Sequence, residues 1–287
     1  MMKKLFFLIY KFLSIIDFIC RKIFKKSILI FFKDFIEKDS YTKLNILNQK
    51  ALFFTPNDIT KWRVKTFFSK EPETLEWIDA FDNKEKITYW DIGSNIGLYS
   101  IYAALRFKNI QIISFEPSTS NLRILSRNIS INDMQNKINI CQLPLTNAST
   151  KFLEMKESKF IEGWSMNSFG ENLDFSGKPF ISKNKYKILG TNIDFLIEKK
   201  ILETPNYIKI DVDGIEHLIL DGGKHLLQKK ELRGLSIELN ENFQEQYSKV
   251  LKIMKDFDFK LKHKKHAEDF YKNDMFAKTF NYIFERN

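Results

Sequence analysis

From residue 87 to residue 263 short β-branched and aromatic runs alternate with amphipathic stretches, and this alternation restricts the fold more than any other feature. Residues 87–90, 110–115, 138–142, 207–210, 235–239 and 259–263 read as strands, and 98–107, 120–131, 192–200, 216–227 and 244–257 as helices. Strands separated by helices of this length predict βαβ units, hence an α/β fold built on a doubly wound, parallel sheet. Such sheets hold ligands in the crevice beyond the carboxyl ends of their strands, so functional residues are sought there.

Ahead of this block, residues 59–68 and 72–81 also read as helices. The second opens on Pro72-Glu73-Thr74, and proline at an early position followed by an acid suits a helix N-terminus. The chain therefore divides into an N-terminal arm (1–38), a helical lead-in (39–86) and a domain over 87–287.

Charge separates the arm from the rest. Of a formal net +10 over 287 residues, +7 falls within residues 1–50, which hold 11 basic and 4 acidic side chains. The remaining residues carry 35 basic and 32 acidic side chains, so the domain is nearly balanced. Residues 5–19 are rich in Phe, Leu and Ile, but Lys11 and Asp17 interrupt them, short of the ~20 apolar residues that a spanning helix needs. No small-residue cleavage site follows, which argues against a secretory signal. Lys4, Lys11, Ser14, Asp17, Arg21, Lys22 and Lys25 fall on one side at helical spacing, opposite a broad apolar face. The spacing predicts a helix to about residue 35, broken at Asp39-Ser40. Its apolar face suits peripheral contact with an anionic membrane, or packing on the domain or on a partner chain. Two cysteines, Cys20 and Cys141, exclude a disulfide framework and a Cys-based zinc site.

The chemistry is concentrated at the first strand end, in Asp91-Ile92-Gly93-Ser94-Asn95-Ile96-Gly97. Gly93 permits a tight turn and close approach to a ligand, and Gly97 close packing of the next helix. The second strand ends in Phe115-Glu116-Pro117, where Glu116 suits both hydroxyls of a ribose. Together these describe a nucleoside-cofactor site. Asp91 occupies the place of the first glycine of a dinucleotide fingerprint; an anion there repels a pyrophosphate and favours an amino group or sulfonium. S-adenosylmethionine is therefore expected over NAD.

These two elements, with Lys209-Ile210-Asp211-Val212-Asp213-Gly214-Ile215-Glu216, resemble the FkbM family of S-adenosylmethionine-dependent methyltransferases over residues 70–265. The family commonly has Glu where Asp213 stands. The resemblance implies a class I methyltransferase (Rossmann-like) fold with a mostly parallel seven-stranded sheet, helices on both faces, and O-methylation. It implies that Asp91, Gly93, Asn95 and Gly97 surround the methionine part of the cofactor and that Glu116 holds the ribose. It also implies that Leu143, Pro144 and Leu145 flank the adenine.

Methyl transfer is an in-line displacement in which the acceptor must lose a proton. Asp211 ends the fourth strand and Glu238 nearly ends the fifth, so both open onto the crevice; Asp211 is the preferred base. Its alternative role is to cap the helix that follows, and His217 is a second candidate base. Asp211, Asp213, Glu216 and Glu238 offer oxygens for a divalent metal, but nothing in their spacing demands one, and none is expected. Residues 155–190 read as a lid or substrate loop, or a β-hairpin, with Trp164 to stack on a sugar and Asn167 and Ser168 to hydrogen-bond it.

The expected function is O-methylation of a hydroxyl of a small molecule or of a sugar in a surface polysaccharide or related glycan. The enzyme is expected in the cytoplasm, peripheral to the inner membrane face. A nucleic-acid methyltransferase is the alternative suggested by charge, but the Asp/Asn-Pro-Pro-aromatic element of base amino-methyltransferases is missing after the fourth strand, and nucleic acid is not expected as a partner. The remaining alternative is a non-catalytic membrane-docked module that keeps the cofactor fold.

Overall fold

The computed structural model describes residues 2–266 and 276–286. The arm is two helices rather than one, α1 (Met2–Phe24) and α2 (Ile28–Asp39). Asp17, assigned by spacing to the polar face, is instead buried in the bend between them. It accepts hydrogen bonds from the Ser27 hydroxyl (2.8 Å) and the Leu29 amide (3.1 Å), and pairs with Arg21 (2.7 Å). Ser27 in turn caps α2.

The lead-in is not helical throughout. It opens with an antiparallel hairpin, β1 (Tyr41–Ile46) and β2 (Gln49–Phe54), before α3 (Asp58–Lys65), α4 (Phe67–Lys70) and α5 (Pro72–Asp79). Leu47 and Asn48 both take positive φ, 50° and 62°, which is the backbone twist that a two-residue hairpin turn requires. Pro72 stands in the first turn of α5, as its fixed φ favours.

The alternation of the domain is realised as β3 (Ile87–Ile92), α6 (Leu98–Arg106), β4 (Ile110–Phe115), α7 (Thr119–Ile131) and β5 (Ile138–Cys141). A separate antiparallel sheet follows, β6 (Lys151–Glu157), β7 (Asn167–Phe169) and β8 (Asn184–Gly190), in the order β7-β6-β8. It stands where a lid or hairpin is expected. The chain returns to the main sheet through α8 (Ile193–Glu198) and β9 (Tyr207–Ile210). The single helix expected over 216–227 is two short ones, α9 (Glu216–Asp221) and α10 (Lys224–Leu227), parted by Gly222-Gly223. β10 (Gly234–Asn240), α11 (Gln244–Asp256), β11 (Lys260–Lys265) and β12 (Thr279–Glu285) complete the chain.

Seven strands form one sheet in the order β11-β12-β10-β9-β3-β4-β5. From β10 to β5 every pairing is parallel, and β12 runs antiparallel to both β10 and β11. The order reverses between β3 and β9, which defines the switch point where a ligand crevice opens. Two-residue periodicity sends alternate side chains to opposite faces. Ile87, Tyr89 and Tyr207 enter one core with Trp77, Ile101 and Leu125, whereas Trp90, Ile92 and Ile208 enter the other with Leu196, Ile219 and Val250. Burying such a side chain fully stabilises the fold by about 1.5–3 kcal/mol.

Candidate active site

A cavity of about 210 Å³ opens at the carboxyl ends of β3, β4, β9 and β10. At one end of it the turn after β3 carries Gly93 at φ 86°, where an added Cβ would lie 1.9 Å from the Asp211 carbonyl oxygen. Only glycine lets the ends of β3 and β9 meet this closely. Asn95 and Glu116 line the cavity beside it, and the Glu116 carboxylate accepts the Asn95 and Ser118 amides, each at 2.8 Å. Burial nevertheless pushes the Glu116 carboxyl up to about 8. Leu143, Pro144 and Leu145 form the adjoining apolar wall. Gly97 stands away from the cavity, where an added Cβ would lie 2.5 Å from Leu125 of α7.

Asp91 does not reach the cavity wall. It shares a sheet face with Lys209, its register partner on β9, and points at α6, where Ser100 donates to it at 2.6 Å. Both Asp91 and Lys209 are buried, at 0% and 1% exposure. Lys209 also gives its ammonium to Asp211 at 2.6 Å. Burial opposes the charge on Lys209, but Asp211, Glu71 and Asp91 outweigh it and raise its pKa.

The same sheet face continues into the other end of the cavity. Asp211 and Glu238 meet there with Glu71, the residue between α4 and α5, and one carboxylate oxygen from each lies within 4.8 Å of the others. The sequence singles out Asp211 and Glu238 but not Glu71, whose only local signal is its place beside Lys70, just before the helix-opening Pro72. Lys70 pairs with Glu71, and with Lys209 it holds the Glu71 carboxyl below its usual range despite burial. Among the described residues no hydrogen bond reaches the Glu238 carboxyl. Burial raises its carboxyl well above the ordinary value, and the Asp211 and Glu71 charges add to the rise. Two ammonium groups thus neutralise two of the three carboxylates and leave Glu238 suited to hold a proton.

Asp213 and Glu216 do not join this group. Asp213 accepts the Met166 and Asn167 amides at 2.6 and 3.2 Å, and its carboxyl is pushed up to about 6 by burial and then by Asp211. Glu216 accepts the Gly214 amide and the Gln246 side chain. His217 lies against Phe243, away from the cavity.

Residues 161–168 form a strap over the cavity. Asn95 and Asn121 donate to the Trp164 carbonyl at 3.2 and 3.0 Å, and Arg63 of α3 donates to the Gly163 carbonyl at 2.5 Å. Arg123 of α7 links strap to arm, pairing with Glu162 at 3.0 Å and with Glu37 of α2 at 2.5 Å. Trp164, Asn167 and Ser168 all line the cavity, but two have local partners. The Trp164 indole donates to Ser158 at 2.7 Å with Lys159 3.8 Å over its ring, and the Ser168 hydroxyl donates to the Glu171 carbonyl. Among the described residues the Asn167 Oδ1 is buried without a partner, as is the Asn95 Oδ1 at the Gly93 end.

A mostly parallel seven-stranded sheet with a glycine turn and a buried acid on its first two strand ends defines a Rossmann-like methyltransferase fold. Residues 91–261 match the model of the methyltransferase FkbM domain, and the chain belongs to that family. It is 26% identical over 151 residues to methyltransferase sdnD of Sordaria araneosa, covering 46% of this chain and 58% of the relative. Among solved structures, methyltransferase FkbM of Methylobacillus flagellatus aligns with 14% identity and a TM-score of 0.46, over 79% of this chain and 52% of that one. A Streptococcus pneumoniae putative tRNA (m1A22) methyltransferase in complex with S-adenosyl-L-methionine aligns with 14% identity and a TM-score of 0.42, over 75% and 72%. The chain thus spans little more than half the length of sdnD and of the FkbM structure.

Proposed function

We propose that this chain is a cytoplasmic O-methyltransferase that uses S-adenosylmethionine to methylate a hydroxyl of a sugar in a surface polysaccharide or related glycan. The carrying observation is the adjacency, in one cavity, of a nucleoside-type end at Gly93, Asn95 and Glu116 and a carboxylate group centred on Glu238. The donor fits the first end: Glu116 keeps lone pairs for two ribose hydroxyls, and the orphan Asn95 Oδ1 accepts an ammonium proton. When bound, it supplies an electrophilic methyl group on a sulfonium.

At the other end Glu238, in its ionised form, takes the proton that the acceptor hydroxyl loses. Its raised affinity for a proton suits it to that role better than Asp211, whose carboxylate already receives Lys209. Asp211 with Lys209 fixes the edge of the site, and the unpartnered Asn167 Oδ1 accepts a further acceptor hydroxyl. Calorimetry with S-adenosylmethionine and with NAD tests the cofactor; binding of NAD alone overturns the reading. Transfer of label from methyl-labelled donor to a glycan fraction, stable to mild base as an ether is, tests the acceptor; label on nitrogen or on nucleic acid overturns O-methylation of a sugar.

A further inference from the structure

Among the described residues 28 large apolar side chains are exposed, and 18 of them belong to α1 and α2. A soluble surface rarely leaves so large an apolar area open. The hairpin does not use these side chains to hold itself together. Its bend is closed by polar contacts, with Asp17 receiving Ser27, Leu29 and Arg21, and it is tied to the domain by Glu37, which pairs with both Arg123 and Arg127. Phe6, Phe12, Ile19, Phe31 and Phe35 are thereby left facing outward.

The charge on the hairpin indicates what covers them. Residues 2–39 carry nine Lys and Arg against four acids. Two of those acids, Asp17 and Glu37, are already paired within the molecule. Lys11 and Lys22 lie over the rings of Phe7 and Phe18, at 5.4 and 4.6 Å, so their stems follow the apolar surface while their ammonium groups stay at its margin. No described helix is long and apolar enough to cross a membrane. Apolar bodies fringed by cations, on helices that do not span, match the boundary between anionic headgroups and acyl chains.

We propose that the α1–α2 hairpin docks the protein on an anionic lipid bilayer, seating its Phe and Ile side chains at the headgroup boundary and its lysines against lipid phosphates. The occupant is a lipid surface rather than a second copy, because two copies of so cationic a hairpin repel one another.

Flotation of the full chain with vesicles tests this, independently of cofactor or acceptor. The expected result is binding to vesicles containing phosphatidylglycerol, at least about tenfold weaker binding to pure phosphatidylcholine, and weakening as salt is raised. The double variant Phe12→Asp/Phe31→Asp is expected to lose at least about tenfold in binding to the anionic vesicles. Its calorimetric titration with S-adenosylmethionine should match that of the unaltered chain, which separates docking from the methyl-transfer reading. Equal binding to both lipids, or unchanged binding by the double variant, overturns the proposal. So does a stable dimer that the double variant dissolves and that ignores vesicles.

Discussion

The two ends of the cavity are built by different means. The end proposed to hold the nucleoside comes from consecutive strand–turn–helix units, with Gly93 and Asn95 after β3 and Glu116 after β4. The end proposed for the acceptor is gathered from distant segments: Glu71 from between α4 and α5, Asp211 from just after β9, Glu238 from β10 and Asn281 from β12. Local construction makes the first end a property of a short sequence, whereas the second exists only once the whole sheet has closed. Gly93 touches both, because its turn packs on the Asp211 carbonyl.

The largest expected effect is therefore at that junction. Gly93→Ala combines a positive φ with a backbone clash, and is expected to destabilise the protein by at least ~3 kcal/mol and to remove S-adenosylmethionine binding, read by thermal unfolding and calorimetry. Unchanged unfolding would mean that the two ends tolerate separation. Within the acceptor end the carboxylates should part company. Glu238→Gln is expected to lower kcat by roughly 10²–10⁴-fold with donor affinity retained. Asp211→Asn should act first on stability, costing about 3 kcal/mol as buried Lys209 loses its nearest anion. Full turnover by Glu238→Gln would return the role of base to Asp211.

The smallest effect lies at the nucleotide end and is read through pH. Glu116 is raised from 4.5 to about 8, so the folded protein without cofactor binds a proton that the unfolded chain has released. That contribution to stability is full below pH 4.5 and is lost as pH rises towards 8; Glu216, raised likewise, acts in the same window. A ribose that requires the carboxylate reverses the sign for binding. Donor affinity should rise roughly fivefold from pH 7 to pH 8, and Glu116→Gln should flatten the rise, as calorimetry across that range would show.

The same contrast explains what the sequence discloses. The βα turns were legible because Gly93 and Glu116 sit at fixed places in repeating units, and both line the cavity. Asp91 is visible in the motif, yet its partner is not: the pleat turns it toward Ser100 and beside Lys209, away from the crevice. Glu71 looks like an ordinary residue before a helix-opening proline, and only the packing of α4 and α5 on the sheet brings it to Asp211 and Glu238. The hairpin β1–β2 has a local signal, the alternation of Thr42 to Ile46 before Leu47-Asn48, beside a lead-in whose later part is helical. In the arm, an acid at helical spacing looks solvated, and nothing short of the fold shows that Asp17 closes a bend.

The position of β12 has a consequence in time. Thr279, Phe280 and Asn281 form part of the cavity wall, and Asn281 donates to Glu73 at 2.8 Å from a strand inserted between β10 and β11. During synthesis the glycine turn and Glu116 leave the ribosome more than 160 residues before that strand does. The segments that carry Gly93 and Glu116 are thus made well before the strand that lies between β10 and β11. The cavity wall is complete only once β12 has been made and has paired with both neighbours.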